Sequence, residues 1–374
     1  MTDQITKLIQ SRIRQDIVSM HAYAIQDSVG MVKLDAMENP HRLPADLQQQ
    51  LGERLGKLAL NRYPNGRVND LRTALASYAD MPAGYDIMLG NGSDELISLL
   101  ALACDVPGAT ILAPLPGFVM YAMSAQLQGL KFVGVDLTAD FELDVPAMLA
   151  AIAEHKPAIT YLAYPNNPTA NLWDEGAMAQ IIAAVADIGG LVVLDEAYQP
   201  FSSKTYLDTI RVTNLIAPAA HAHVLLMRTL SKFGLAGVRM GYMMGPKALI
   251  AEIDKVRPPY NISVLNYECA LFALEHKDVF SAQAGELIAQ RAMLFEELGK
   301  IPNVKAFKSD ANMMLLRVQG GNDAAAKTFD GMKAKGVLIK NVSKMHPLLT
   351  GCLRLTVGTA AENATMVAAI KASI

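Results

Sequence analysis

The chain has 374 residues, is 52% hydrophobic and 18% charged, and carries a formal net charge of -3 with a pI near 6.2. That length allows two domains or one large one with an appendage, and that composition is enough to bury a sizeable core. With no block of like charges anywhere, there is no electrostatic ground to expect nucleic acid or an anionic membrane as a partner.

The first residues, Met-Thr-Asp-Gln, open a polar amphipathic stretch without an apolar signal region, and Asn39-Pro40 separates this stretch from the main run of strands and helices. The longest apolar runs, such as Leu96 to Cys104, are too short to span a bilayer. Cys104, Cys269 and Cys352 are far apart, odd in number and without metal-ligand spacing. They read as small buried hydrophobes in a reducing compartment, so a cytoplasmic protein without a metal is expected.

From residue 86 to 244, short β-branched or leucine-rich runs recur: Asp86–Leu89, Thr110–Ala113, Phe132–Val135, Ile159–Ala163, Leu191–Leu194, Val224–Met227 and Gly241–Met244. Amphipathic stretches such as Asp94–Ala103, Val145–Glu154 and Glu175–Asp187 lie between them. This rhythm predicts an α/β fold, a mostly parallel central sheet with helices on both faces. Beyond residue 246 the pattern changes to long helical segments, Lys247–Arg257 and Val264–Leu298, then strand-like pieces at Met313–Val318 and Leu353–Val357. The expected organisation is a large domain over 46–246, a smaller α+β domain over 247–374, and an N-terminal segment, 1–45, packing with the smaller one.

Three polar clusters each follow a predicted strand. Asn166-Asn167-Pro168-Thr169 follows Ile159–Ala163, Asp195-Glu196-Ala197-Tyr198 follows Leu191–Leu194, and Thr229-Leu230-Ser231-Lys232 follows Val224–Met227. Parallel strands would open all three at one carboxyl edge, where open α/β sheets place their ligands. A lysine, a buried carboxylate, a phenol and an amide together suit pyridoxal phosphate (PLP), which needs an amine for its aldehyde and an anion for its pyridine nitrogen. Asp195 ends the apolar run Leu-Val-Val-Leu, where an unpaired carboxylate is costly to bury and a pyridinium partner would offset that cost. Taken alone, it could equally be a surface ion pair or a helix cap. Gly90-Asn91-Gly92-Ser93-Asp94-Glu95 lies between a strand and a helix, where small residues and free amides can receive a phosphate, although a Ser or Asp there is often only an N-cap. It is neither a dinucleotide fingerprint nor a P-loop. Arg239 could add a charge-assisted contact to the same phosphate.

These motifs, in this order, resemble the fold type I PLP-dependent aminotransferases, and among them the histidinol-phosphate aminotransferase subgroup. The resemblance runs from Lys33-Leu34-Asp35-Ala36-Met37-Glu38-Asn39-Pro40, through Pro-Asn-Asn-Pro-Thr, Asp-Glu-Ala-Tyr and Thr-Leu-Ser-Lys with its Phe-Gly-Leu-Ala-Gly-Val-Arg, to Cys352-Leu353-Arg354-Leu355-Thr356-Val357-Gly358. It implies that Lys232 is the Schiff-base lysine and proton shuttle, that Asp195 pairs with the pyridine nitrogen, and that Tyr198 and Asn167 bind the phenolic oxygen. It implies further that Phe118 stacks on the ring, that Ser93, Asp94, Ser231 and Arg239 hold the phosphate or lie beside it, and that Gly92 and Thr229 also belong to the cofactor site. Tyr63 would reach that phosphate from a neighbouring subunit, making a homodimer. Arg354, with Lys340 and Tyr23, would bind the anionic substrate; the substrates would be an amino donor and a 2-oxo acid.

Three departures from the resemblance bear on the donor. Lys340 stands where many relatives carry an arginine and lacks its planar fork. Met37 replaces the usual asparagine, and the segment from Lys232 to Arg239 is one residue shorter than in many members. An aromatic aminotransferase and a threonine-phosphate decarboxylase are therefore the rival readings. An inert PLP-binding regulator has no helix-turn-helix to use ahead of Leu34.

Overall fold

The computed structural model describes residues 2–20, 26–217 and 219–374. The chain divides into two compact units, Met1–Met31 and Val32–Ile374. The first contains the helix Thr2–Arg12, with Asp3 in its first turn and Arg12 in its last, each at the dipole end that attracts it.

The second unit begins with strand β1 (Val32–Lys33). Its main sheet is built from β2 (Tyr85–Gly90), β3 (Thr110–Leu115), β4 (Lys131–Asp136), β5 (Ile159–Ala163), β6 (Leu191–Asp195), β7 (Val224–Thr229) and β8 (Gly241–Pro246). Their order is β2-β8-β7-β6-β5-β3-β4, and β8 runs antiparallel to both of its neighbours while the other pairs are parallel. Successive residues of the central strands enter two different apolar clusters. Val192, Leu194, Val224 and Leu226 belong to one; Val193, Leu225 and Met227 belong to the other. Helices Arg67–Ala79, Val145–His155, Glu175–Asp187 and Tyr206–Ile216 pack into the first cluster, and Ser93–Ala103, Met120–Gln128 and Lys247–Ile253 into the second. Burial on both faces is why these strands read as unbroken apolar runs. Each such Val or Leu side chain contributes about 1.5–3 kcal/mol relative to exposure. Two of the covering helices start where Asp144 and Asp174 accept the amides of Ala147 and Ala177 (3.0 and 2.8 Å), satisfying donors that the first helical turn leaves free.

Beyond the main sheet lie β9 (Val304–Ala306), β10 (Met313–Val318), β11 (Val337–Leu338), β12 (Lys340–Asn341) and β13 (Cys352–Thr356). An antiparallel sheet takes the order β12-β13-β10-β9, while β11 pairs in parallel with β1. Leu34, just after β1, is buried with Leu287, Leu294, Leu353 and Ile370.

The helical segment read as Val264–Leu298 is two helices, Val264–Glu275 and Lys277–Gly299. They break at His276, whose backbone (φ -110°, ψ 28°) leaves the helical region without the glycine or proline that would have announced it. Likewise Lys247–Arg257 ends as an α-helix at Ile253 and closes with a 3-10 turn, Asp254–Val256. Arg257 precedes Pro258 and turns extended (φ -70°, ψ 129°), as a residue before proline prefers. Among the described residues, no helix is long and apolar enough to cross a membrane.

Candidate active site

Strands β5, β6 and β7 are parallel and in register, with Ala163 opposite Asp195 and Asp195 opposite Met227. The three polar clusters therefore leave the sheet at one edge. Counting by twos from Val193 and Leu225 puts Asp195 and Thr229 on the sheet face covered by helix Ser93–Ala103. One cleft there is lined by Ser93, Asp94, Phe118, Asn167, Asp195, Tyr198, Thr229, Ser231, Lys232 and Arg239, together with Met37 and Tyr121.

At one end the cleft is a cradle of backbone and hydroxyls. Gly92 has φ +85°, a conformation that favours glycine, and a Cβ there would lie 2.4 Å from Nη2 of Arg239, so the guanidinium would have to move aside. Gly241 is held as tightly: its Cβ would come within 2.6 Å of Gly92 C and Ser93 N. Sequence reasoning did not single out Gly241, whose need arises only because β8 runs beside the end of β2. The amides of the Ser93–Ala103 helix open here, at the positive end of its dipole. Arg239, itself left-handed at φ +55°, pairs with Asp94 (3.1 Å). The Thr229 hydroxyl lies 2.9 Å from that of Ser231 and donates to the Met240 carbonyl at 3.1 Å.

At the other end is the acid. The Asp195 carboxylate accepts from the Tyr121 hydroxyl (2.6 Å) and from the Ala197 amide (3.0 Å). Burial pushes its pKa up to about 6, while those two donors pull it down. Tyr121 stacks on Tyr161 (centroids 4.2 Å apart, planes 7° apart) and meets Phe118 edge-on at 5.6 Å. This tyrosine was not anticipated. Phe118 precedes the N-cap of helix Met120–Gln128, and nothing in the sequence marks Tyr121 as the partner of an acid.

The amine and the phenol line the same cleft. Lys232 Nζ donates to the Ala36 carbonyl at 2.8 Å and lies 5.9 Å from the centre of the Tyr198 ring. Burial lowers its pKa to about 8; the charges of Arg354 and Arg239 lower it too, against Glu38 and Asp94. The Tyr198 hydroxyl accepts from Asn167 Nδ2 (3.0 Å), and burial pushes this phenol up against the opposing charge of Arg354. Arg354 in turn donates to Asn167 Oδ1 (2.8 Å) and to the Asp35 carbonyl (2.9 Å). The two carbonyl partners, Asp35 and Ala36, are backbone groups that no side-chain motif could reveal. Lys340 sits directly across β12 and β13 from Arg354, so both side chains leave the same sheet face. Met37 lines the cleft with a left-handed backbone at φ +52°, a conformation that costs methionine more than asparagine.

Tyr63 does not enter this cleft. It is 78% exposed and stacks on Tyr260 with centroids 4.6 Å apart. Tyr23 lies outside the described residues. Among the described residues no group of three or more His, Cys, Asp or Glu could hold a metal ion.

The donor set fits PLP. A cradle that a Cβ would fill suits a phosphate, a buried acid suits a pyridinium, and an amine with a lowered pKa lines the same cleft. Comparison with known proteins agrees. The family described as aminotransferase class I and II matches residues 29–370. The chain is 73% identical over 366 residues to a histidinol-phosphate aminotransferase of Polaromonas naphthalenivorans, covering 98% of this chain and 97% of that one. It is 66% identical to a histidinol-phosphate aminotransferase of Methylibium petroleiphilum, over 96% of this chain and 94% of the relative. Its fold matches the crystal structure of histidinol-phosphate aminotransferase from Sinorhizobium meliloti in complex with pyridoxal-5'-phosphate (TM-score 0.82, 23% identity, 96% and 97% of the two chains).

Proposed function

We infer, from the premise that this chain belongs to the class I and II aminotransferases, that it is a PLP-dependent histidinol-phosphate aminotransferase. The reaction exchanges the amino group of L-histidinol phosphate for the keto oxygen of 2-oxoglutarate, giving 3-(imidazol-4-yl)-2-oxopropyl phosphate and L-glutamate. When bound, PLP supplies an aldehyde that condenses with amines and a ring that accepts electrons from the α-carbon. Every other task falls to the protein. Asp195, as an anion, holds the proton on the ring nitrogen. Lys232, with a pKa of about 8, releases its proton easily enough to act as a base toward the α-hydrogen and to return a proton afterwards. Tyr198 and Asn167, already bonded to each other, orient the ring's oxygen. Arg354 offers its guanidinium to the anionic end of either substrate, carboxylate or phosphate. Lys340 on the same face adds a second cation. The observation that carries the reading is that Lys232 and Asp195 line one cleft together with Ser93, Asp94 and Arg239, the residues around Gly92.

The finer features belong to the same proposal. The residues assigned to PLP fall within 46–246, whereas Arg354 and Lys340 come from 247–374, which supports dividing the chain by task at that point. The exposed Tyr63 supports a homodimer in which it serves the neighbouring site. The free state of Cys104, Cys269 and Cys352 supports a cytoplasmic location.

A half-reaction screen tests the donor. Holoenzyme mixed with histidinol phosphate, phenylalanine or threonine phosphate is followed by the absorbance of its bound cofactor. Histidinol phosphate is expected to discharge it fastest, with no carbon dioxide released from threonine phosphate; preference for phenylalanine would replace the donor assignment. Lys232→Ala is expected to lose turnover and the covalent attachment of PLP together. Normal multiple turnover in that variant would remove the residue from its role.

A further inference from the structure

The residue next to each cofactor group on β6 and β7 is charged and buried. Strand alternation sends Asp195 and Thr229 to the cleft, so Glu196 and Arg228 emerge on the opposite face of the sheet. There Arg228 meets Glu196 at 2.8 Å, with the two side chains 6% and 0% exposed. The pair is fully engaged. Arg228 Nε donates to Glu196 Oε2 at 2.9 Å and its Nη2 to the Thr205 hydroxyl at 2.9 Å. Glu196 Oε1 also accepts from the Thr205 hydroxyl (2.8 Å) and the Tyr206 amide (2.7 Å), tying it to the start of helix Tyr206–Ile216. Tyr242 stands directly opposite Arg228 in the β7–β8 ladder, is 1% exposed and shares a hydrogen bond with it. Its neighbour Gly241 is the residue packed against the Gly92–Ser93 backbone.

We propose that Glu196 and Arg228, backed by Tyr242 and Thr205, form a clamp behind the sheet that fixes the relative positions of the acid and the phosphate cradle on its front. These are positioning residues: each sits one residue from a group that faces the cleft, Glu196 beside Asp195, Arg228 beside Thr229 and Tyr242 beside Gly241. A buried ion pair is an expensive way to fill space, since apolar side chains of similar volume usually serve stability as well or better. What it supplies is a fixed, directional link between the ends of β6, β7 and β8. A cofactor whose ring and phosphate are gripped at two ends of a rigid molecule requires that link, because a displacement of the grips relative to each other weakens both.

The inference rests on PLP occupying the cleft, and one experiment separates the two. Wild type, the apolar double variant Glu196→Leu/Arg228→Met, Glu196→Gln and Arg228→Lys are prepared as apoproteins, melted, and titrated with PLP. In the double variant the melting temperature of the apoprotein is expected to hold or rise while the Kd for PLP weakens by about tenfold or more and kcat falls. Arg228→Lys, which keeps the charge and loses the fork, should fall between it and the wild type. Should the double variant fail to fold, Glu196→Gln carries the test, because its amide turns a donor toward Arg228 while its size is kept. A folded double variant, or a folded Glu196→Gln, that binds PLP like the wild type would overturn the clamp and leave the site reading intact. A wild-type chain that does not bind PLP through Lys232 would overturn the site reading and the clamp with it.

Discussion

Asp195 is a carboxyl group held out of water at the end of an apolar strand, and that makes it sensitive to what it faces. In the chain without cofactor, its pKa of about 6 lies above the unfolded value of 3.8. A raised carboxyl binds its proton more tightly when folded, so its contribution to stability falls as pH rises from about 4 to about 6 and stays unfavourable above that. Asp195→Asn removes the penalty. Compared by urea unfolding of the two apoproteins, the variant should gain on the wild type between pH 4 and pH 7, by up to about 3 kcal/mol. A constant difference across that range would mean that the carboxyl is not strained. The same variant should bind PLP poorly, since the amide cannot hold a pyridinium proton. Asp195 was legible in the sequence as an acid ending an apolar run. Tyr121, the hydroxyl 2.6 Å away from it, was not, because a tyrosine on a helix announces no partner.

At the scale of elements, the site depends on where strands end. The runs at β5 to β8 were legible because both faces of the sheet are buried, so that apolar content survives at every position. That the clusters after β5, β6 and β7 converge follows from their being parallel and in register. The placement of β8 was not legible. Its reversal between β2 and β7 brings Gly241 against Gly92, and only packing could reveal that contact. Gly92→Ala should therefore act on the cradle alone. Its methyl group meets the Arg239 guanidinium, and its φ of +85° is one that alanine resists. The expected result is PLP binding weakened by about tenfold or more, with strain of about 1–3 kcal/mol in the folded chain. A PLP titration and a thermal melt of the apoprotein check both parts.

On the scale of the whole molecule, Tyr63 bears on assembly. Two exposed tyrosine rings stacked on each other, Tyr63 and Tyr260, form an apolar projection outside the chain's own cleft. If Tyr63 serves a neighbouring subunit, Tyr63→Ala and Lys232→Ala should each be impaired alone yet complement each other when their subunits are exchanged. Random mixing makes about half the dimers hybrid, each with one intact site, so about one quarter of wild-type activity should return. No recovery would place Tyr63 in its own subunit's site or in none.

The α/β alternation and the cofactor class were legible in the order and type of the residues, because both rest on patterns that side chains carry along the chain. Tertiary structure alone decided which backbone carbonyls hold Lys232 and Arg354, which glycines admit no Cβ, and that Glu196 and Arg228 meet behind the site. Those features depend on distances between segments far apart in the chain, which local pattern and residue type do not encode.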